Sequence, residues 1–162
     1  MQDLEIIVVS PADDFYIDQC VEIARENHIS KGGFIPYLLA VKKSCDYIIC
    51  AVNDDKVLGY LGVNFNRLLK EFIITQVAVT KKCQAKGIGT KLMTYLKEHS
   101  LQAKKIISFV EKRNINSIKM HRRVGYCSFD EGYDYLFEIN TSIVKDNQLL
   151  DYVNNQRDIE YE

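Results

Sequence analysis

Short runs of apolar and β-branched residues alternate along this chain with stretches in which apolar positions recur every three or four residues. The first pattern predicts strands and the second predicts amphipathic helices. The predicted strands are Leu4–Val9, Asp46–Val52, Lys56–Phe65, Glu71–Thr80, Lys105–Glu111 and Tyr133–Asn140. The predicted helices are Phe15–Ala24, Gly87–Ser100 and Ile115–Val124. The order β-α-β-β-β-α-β-α-β predicts one core domain of mixed α/β (α+β) structure.

Polar residues, glycine and proline mark the connections between these elements. Asn53-Asp54-Asp55 separates two strands by residues that suit a tight turn, which predicts an antiparallel hairpin. Two glycines and a proline interrupt the pattern over Asn27–Pro36, where we expect a loop or a short helix. The chain turns polar near its end, with a predicted helix at Ile143–Val153 and a frayed terminus. We therefore expect a domain over 1–140 and a C-terminal helical extension over 141–162.

Composition narrows the class of protein. The 162 residues are 47% hydrophobic and 27% charged, which is typical of a globular domain and not of a disordered or membrane chain. The formal net charge of −1 lacks the excess of lysine and arginine that a nucleic-acid partner requires. The first residues include no basic leader, and no apolar run approaches about 20 residues. We expect a cytoplasmic protein with neither nucleic acid nor a membrane as its partner.

The cysteines indicate neither a disulfide framework nor a zinc site. They form an odd set without a C-x-x-C pair, and the three histidines are scattered. We expect reduced thiols that are small buried fillers or surface residues, and no metal cofactor. The five are Cys20, Cys45, Cys50, Cys83 and Cys127.

The segment Gln84–Thr90 carries the most informative chemistry, because it lies between a predicted strand and the first turn of a predicted helix. The first amides of a helix lack intrahelical partners and favour an anion such as a pyrophosphate. A P-loop is excluded because Gly89 is followed by Thr90-Lys91 in the wrong order. A dinucleotide fingerprint is excluded because Leu92 replaces its third glycine. A simple strand–turn–helix connection remains the alternative for this segment taken alone.

Gln84, Gly87 and Gly89 fit the pattern [RQ]-x-x-G-x-[GA] and so resemble the pyrophosphate loop of the GNAT (Gcn5-related N-acetyltransferase) acyltransferases. Val77-Ala78-Val79-Thr80 resembles the family's fourth strand, and Leu92-Met93 its apolar pair after the loop. A second block is similar to the family pattern after the fifth strand. Its matching residues are Asn114, Ser117, Met120, His121, Gly125 and Tyr126.

This resemblance implies a GNAT fold, with a central mixed, mostly antiparallel, twisted sheet of about six to seven strands flanked by helices. It also implies acetyl-CoA as cosubstrate, held by backbone groups of the fourth strand, by the loop and by the helix after the fifth strand. Ser117 has close packing as an alternative role, and Asn114 also suits a helix cap. The implied cofactor-binding residues are Val77, Ala78, Val79, Gln84, Ala85, Lys86, Gly87, Ile88, Gly89, Thr90, Asn114 and Ser117.

The catalytic residues are less clearly indicated. Many family members carry a glutamate base on the fourth strand, but Thr75 and Gln76 stand at those places here. Glu71 and Glu111 are the candidate bases, and each also suits the role of a solvated charge at a strand end. His121 stands where relatives often carry tyrosine, so it is the candidate proton donor to the CoA thiolate, with side-chain packing as the alternative.

The resemblance implies transfer of an acetyl group to a primary amine of a small molecule, peptide or protein. It places the acceptor between Asn27–Pro36 and Cys127–Tyr135. The second segment contains Asp130, Glu131 and Asp134 among tyrosines, which suit a cationic amine or else form only a solvated hairpin tip. A non-catalytic acyl-CoA sensor domain is the alternative function. The chain could also pair with a second copy as a homodimer.

Overall fold

The fold is that of a computed structural model, which describes residues 3–27, 37–100 and 103–140. The strands are β1 (Glu5–Val9), β2 (Tyr47–Asn53), β3 (Lys56–Asn66), β4 (Glu71–Val79), β5 (Lys105–Glu111), β6 (Cys127–Glu131) and β7 (Asp134–Asn140). The helices are α1 (Asp14–Glu26), α2 (Tyr37–Lys42), α3 (Ile88–Glu98) and α4 (Ile115–Val124), with a 3-10 turn at Lys81–Cys83.

The seven strands of the described residues form one mixed sheet in the order β1-β2-β3-β4-β5-β7-β6. In this sheet β4 and β5 are parallel neighbours, and the other pairs are antiparallel. The predicted mixed, mostly antiparallel sheet of six to seven strands is therefore confirmed. Among the described residues, no helix is long and apolar enough to cross a membrane.

The predicted hairpin between β2 and β3 is confirmed, and its turn is set by local backbone chemistry. Asn53 pairs with Lys56, which leaves Asp54 and Asp55 as the two turn residues. Both have positive φ, at 47° and 63°. Aspartate tolerates this left-handed conformation better than most residues, and two such residues match the twist of a two-residue hairpin.

Helices cover the two faces of the sheet and create two cores. On one face, α3 and α4 pack with Leu92 and Ile118 against strand residues that include Phe137. On the other, α1 and α2 pack with Ile17 and Val41 against the N-terminal strands. Each cluster follows the alternation of side chains along the strands, so one face carries α3 and α4 and the opposite face carries α1 and α2.

Two elements are missing from the predicted order, which was wrong at these points. The six residues of α2 are too few to display a helical period. The edge strand β6 pairs only with β7 and all five of its residues are exposed, so it has no apolar face to reveal it. The predicted helix at Ile143–Val153, the extension over 141–162 and most of the predicted loop (28–36) lie outside the described residues.

Candidate active site

A wedge opens between the two parallel strands at the centre of the sheet. The pairing of β4 with β5 starts at Glu71 opposite Lys105 and ends at Ile74 opposite Ser108, within the described part of the chain. Both strands continue, but β4 then pairs only with β3, and β5 only with β7. The wedge is the gap between the two diverging segments, Thr75–Val79 of β4 and Phe109–Glu111 of β5.

A β-bulge in β4 marks the start of this wedge. Opposite β3, Ile74 pairs with Val63 and Gln76 pairs with Gly62, so Thr75 is the extra residue. Beyond the bulge, every second residue forms backbone hydrogen bonds with β3, and the Thr80 amide donates to the Leu58 carbonyl of β3 at 2.8 Å. The same alternation turns the backbone groups of Val77 and Val79 away from β3, toward the wedge. The amides of Val77 and Val79 and the carbonyl of Val77 thus point to the place where the resemblance predicts contact with the pantetheine arm, whereas the Val79 carbonyl accepts from Asn27 and Gln84.

The loop after β4 exposes a set of free backbone amides at the N-terminus of α3. Two of its residues, Ala85 and Gly87, have left-handed φ values of 64° and 83°. The first intrahelical bond is donated by Lys91 to the carbonyl of Gly87. Within the described residues, no hydrogen-bond acceptor is seen for the amides before it, which are those of Ala85, Lys86, Gly87, Ile88, Gly89 and Thr90. Such amides at the positive end of a helix bind a phosphate or pyrophosphate.

The C-terminus of α1 holds this loop in place through contacts that sequence reasoning missed. The Asn27 side chain donates to the Val79 carbonyl at 3.1 Å and accepts from the Gln84 side chain at 3.1 Å. Gln84 also donates to the Val79 carbonyl at 3.2 Å. The Glu26 carboxylate accepts from the Lys81 amide at 3.0 Å. The Gln84 side chain thus holds the loop against β4 and the end of α1.

The two glycines of the loop have different structural roles. A Cβ built on Gly87 would meet nothing within 4 Å, so the space above this residue is open to a ligand. A Cβ built on Gly89 would lie 2.5 Å from the Met120 sulfur of α4. The lack of a side chain at Gly89 therefore makes room for the flexible end of Met120 and opens no space for a ligand.

Four exposed lysines surround the free amides, and they were not among the predicted cofactor residues. The lysine pair Lys81-Lys82, just before the loop, was the sequence signal that could have indicated them. Their positive charges add to that of the helix terminus, which favours a ligand with several phosphate groups. They are Lys81, Lys82, Lys86 and Lys91.

The helix α4 begins beside the wedge with a well-formed cap. Asn114 is the N-cap, and its side-chain oxygen accepts from the Ser117 amide at 3.2 Å. The helix ends at Gly125, whose φ of 107° suits glycine. The predicted capping role of Asn114 is confirmed, whereas contacts of Asn114 and Ser117 with CoA stay predictions.

His121 is buried under α4 with both ring nitrogens engaged. It is 1% exposed. Its Nδ1 lies 2.7 Å from the Ser117 carbonyl oxygen and therefore donates, while Nε2 lies 2.8 Å from the Ser108 hydroxyl and accepts. Burial lowers the pKa of His121, and the bond to Ser117 opposes this only in part. A neutral ring without a proton on Nε2 does not support the predicted role as proton donor, and this geometry favours the packing role.

The buried neutral His121 predicts a loss of stability at mildly acid pH. Because its pKa is lower in the folded chain than the ordinary 6.5, its contribution is fully present above that pH. As the pH falls below 6.5, the unfolded chain gains the proton first, and the free energy of unfolding falls by at most about 1.4 kcal/mol per pH unit. Urea unfolding at pH 7.5, 6.5 and 5.5 measures this slope.

The matched control for this slope is the double variant Ser108→Ala/His121→Phe. It removes the ring together with the hydroxyl that would lose its acceptor, so no side-chain polar group of the pair is left unsatisfied. We expect its free energy of unfolding to change less than that of the parent between pH 6.5 and 5.5. Equal slopes in the two proteins would contradict the buried neutral ring.

The two candidate bases lie at the outer ends of their strands. Glu71 starts β4, and its carboxylate forms an ion pair with Lys105 at 3.3 Å where the two strands are still joined. Glu111 ends β5, is half exposed and pairs with Arg113 at 2.7 Å. Each is three residues from the last β4–β5 pair, which is about 10 Å along a strand. The structure does not bring them together, and the role of base stays a prediction for both.

The acidic segment near the C-terminus of the domain is divided between the two faces of the sheet. Asp130 accepts from Lys112 at 2.7 Å, and this bond is the main reason that its pKa lies below the ordinary value. Glu131 and Asp134 are paired neighbours on the other face, beside Glu111. The three predicted acids therefore do not form one cluster.

The comparisons with known proteins agree with this geometry. The chain matches the model of the acetyltransferase (GNAT) family over residues 14–126. The match covers more than half of the sequence, and the chain belongs to this family. The predicted family is thereby confirmed. Comparison with curated protein sequences gives no match.

Solved structures share the fold at low sequence identity. The PaiA N-acetyltransferase of Thermoplasma acidophilum, solved with coenzyme A, is 15% identical with a TM-score of 0.66, over 85% of this chain and 99% of that one. YncA of Salmonella typhimurium, solved with acetyl-CoA, is 17% identical with a TM-score of 0.65, over 86% and 95%. Ard1 of Thermoplasma volcanium is 16% identical with a TM-score of 0.67, over 86% and 98%. The predicted GNAT fold class is confirmed.

Proposed function

We propose that this chain transfers an acetyl group from acetyl-CoA to a primary amine by direct attack of the amine on the thioester. The observation that carries the proposal is the row of amides from Ala85 to Thr90, which have no acceptor among the described residues and adjoin a wedge lined by backbone groups of Val77 and Val79. Two relatives of the same fold were solved with coenzyme A or acetyl-CoA, which supports the same ligand here.

The geometry suggests how each part of the cosubstrate is held. The loop amides and surrounding lysines bind the phosphate groups of CoA. The pantetheine arm then follows β4 into the wedge, where the backbone amides of Val77 and Val79 orient the thioester carbonyl and stabilise its developing negative charge. Asn114 and Ser117 on α4 border the same cosubstrate.

The reaction then needs little covalent help from side chains. The amine nitrogen attacks the carbonyl carbon, the carbon–sulfur bond breaks, and the proton lost by the nitrogen balances the one gained by the CoA thiolate. Holding the two reactants together can supply about 7–11 kcal/mol of the barrier. An α-amine with a pKa near 8 arrives partly neutral, whereas a lysine side chain near 10.4 is almost fully protonated. We therefore place α-amines first among the acceptors to be tested.

Ligand-induced stabilisation tests the cosubstrate. At a hundredfold excess over the dissociation constant, CoA or acetyl-CoA should add about 2.7 kcal/mol to the free energy of unfolding, or roughly 5–10 °C in Tm. ATP and NAD at the same concentration serve as controls, because they carry phosphates but no pantetheine arm. No shift with CoA, or an equal shift with ATP, would contradict the proposal.

A second candidate function is a non-catalytic acyl-CoA sensor. The observation in its favour is that neutral Gln76 stands on β4 where relatives often carry an acid, and that it is buried. Release of free CoA thiol from acetyl-CoA across a panel of amino acids, peptides, polyamines and lysine derivatives separates the two functions. Binding without amine-dependent release of CoA identifies the sensor. A cytoplasmic location and a homodimer stay predictions.

A further inference from the structure

The side chain of Gln76 joins three elements beside the wedge. Its Nε2 donates to the Ala40 carbonyl of α2 at 2.7 Å. Its Oε1 accepts from the Tyr60 hydroxyl of β3 at 2.6 Å. Gln76 is only 7% exposed and Tyr60 is fully buried. Both ends of the amide are therefore used inside the protein, and the residue is not free to act on a substrate.

The bond to Ala40 satisfies a group that the short helix α2 leaves open. The last four carbonyls of a helix accept no hydrogen bond from within the helix. In the six-residue helix α2, the Ala40 carbonyl is one of these four. A second contact comes from α1, where Asp14 accepts from Lys42 at 2.9 Å on the surface. Because an exposed ion pair contributes little, the buried bond from Gln76, which joins α2 to the sheet, is the stronger of these two polar contacts.

The same bulge makes another contact with the segment that follows α2. The Thr75 hydroxyl lies 3.3 Å from the Cys45 sulfur, just before β2 begins. Thr75 is exposed, whereas Cys45 is buried. At the start of the wedge, Gln76 thus contacts α2, and Thr75 contacts the segment that connects α2 to β2.

The position of α2 decides which substrate this contact affects. The helix α3, with its free amides, covers one face of the sheet, and α2 packs on the opposite face. On that opposite face, Phe109 of β5 is 57% exposed beside the wedge. A cosubstrate that enters from the α3 side leaves the α2 side for the amine.

We propose that Gln76 is a positioning residue that holds α2 against the β4 bulge and thereby sets the affinity for the acceptor amine. The acceptor part of this inference rests on the proposed function, whereas the tie between Gln76 and α2 does not. Gln76 holds α2 through the bond that it donates to Ala40, while its oxygen accepts from Tyr60. A glutamate at this position can do both only when it is protonated.

The test compares the variants Gln76→Glu and Gln76→Leu with the parent at pH 8.5 and pH 6.0. The readouts are the KM values for an amine accepted by the parent and for acetyl-CoA, and amide hydrogen exchange of Tyr37–Lys42. At pH 8.5 we expect both variants to raise the amine KM at least about tenfold and the exchange rate of α2 similarly, with the KM for acetyl-CoA within about twofold. At pH 6.0, Gln76→Glu should return to within about threefold of the parent, while Gln76→Leu should not.

The surroundings of position 76 make this recovery specific. The titratable groups around it are Tyr60 and three buried thiols, those of Cys20, Cys45 and Cys50, and burial is the main reason for the raised pKa of Tyr60. Burial raises the pKa of Cys45 as well, and the contact with Cys50 together with burial raises the pKa of Cys20. Tyr60, Cys20 and Cys45 therefore stay neutral between pH 6.0 and 8.5, and an introduced carboxyl is expected to titrate beside them. Burial shifts the pKa of such a carboxyl upward, toward the tested range.

Tyr60→Phe is the matched control, because it removes one bond of Gln76 and leaves the bond to Ala40 in place. Its α2 exchange and amine KM should stay within about threefold of the parent. Unchanged α2 exchange in Gln76→Leu overturns the inference, as does an equal rise of both KM values. A parent that acetylates no amine overturns the proposed function and the acceptor part, while exchange still decides whether Gln76 holds α2. If Gln76→Leu does not fold, Gln76→Glu at the two pH values carries the test.

Discussion

The variant Gly87→Val is expected to lose at least about 100-fold in CoA affinity while remaining folded. The side chain would occupy the open space above Gly87, where a pyrophosphate must approach the free amides of the loop. Blocking two charge-assisted hydrogen bonds of about 1.5 kcal/mol or more each gives about 3 kcal/mol, which corresponds to this loss. Isothermal titration with CoA measures it directly.

A control for backbone strain is present in the same chain. Gly132, in the turn between β6 and β7, has a φ of 84°, against 83° for Gly87, and a Cβ there also meets nothing within 4 Å. Gly132→Val should therefore impose the same conformational cost and leave CoA affinity within about twofold of the parent. If the two variants lose CoA affinity equally, or if Gly87→Val binds as the parent does, the loop is not the binding site.

The variant Gly89→Val should lose about 1 kcal/mol in the free energy of unfolding. The first added carbon would lie 2.5 Å from the Met120 sulfur, so the flexible end of the Met120 side chain must leave its position. Overpacking of a core typically costs about 1–3 kcal/mol, and displacement of a flexible methionine end falls at the lower end of this range. Urea unfolding without ligand measures the loss.

A double-mutant cycle with Met120→Ala isolates this contact. Met120→Ala should lessen the cost of Gly89→Val, with a coupling free energy of about 0.5–1 kcal/mol. Additive effects would show that Gly89→Val destabilises the chain for another reason.

Local chemistry explains what could be predicted from the sequence. The turn at Asp54 and Asp55, the cap at Asn114 and the loop Gln84–Gly89 each depend on residues within a few positions of one another. Spacing along the chain therefore reveals them. The family pattern extends the same kind of information over a longer stretch, and it correctly indicated the fold and the family.

Contacts between distant segments explain what could not be predicted. Gln76 reaches a carbonyl 36 residues earlier in the chain, and the Asn27 side chain reaches a carbonyl 52 residues later. His121 has the spacing of a residue that could face a substrate, yet its Nε2 accepts a hydrogen bond from the Ser108 hydroxyl of β5. Gly89 fits the loop pattern, but the reason for its lack of a side chain lies on α4. No local pattern carries these partners.

The loop before α3 offers main-chain amides to its ligand, and this affects how the protein can change over evolutionary time. A substitution other than proline at Ala85, Lys86 or Thr90 replaces a side chain but leaves the amide donor in place. Tolerance to mutation should therefore be higher at Thr90 than at Gly87, Gly89 and the left-handed Ala85. Divergence can proceed through most of the chain while the anchor for one cosubstrate is inherited intact, so new acceptor specificities can arise without a new way of binding the donor.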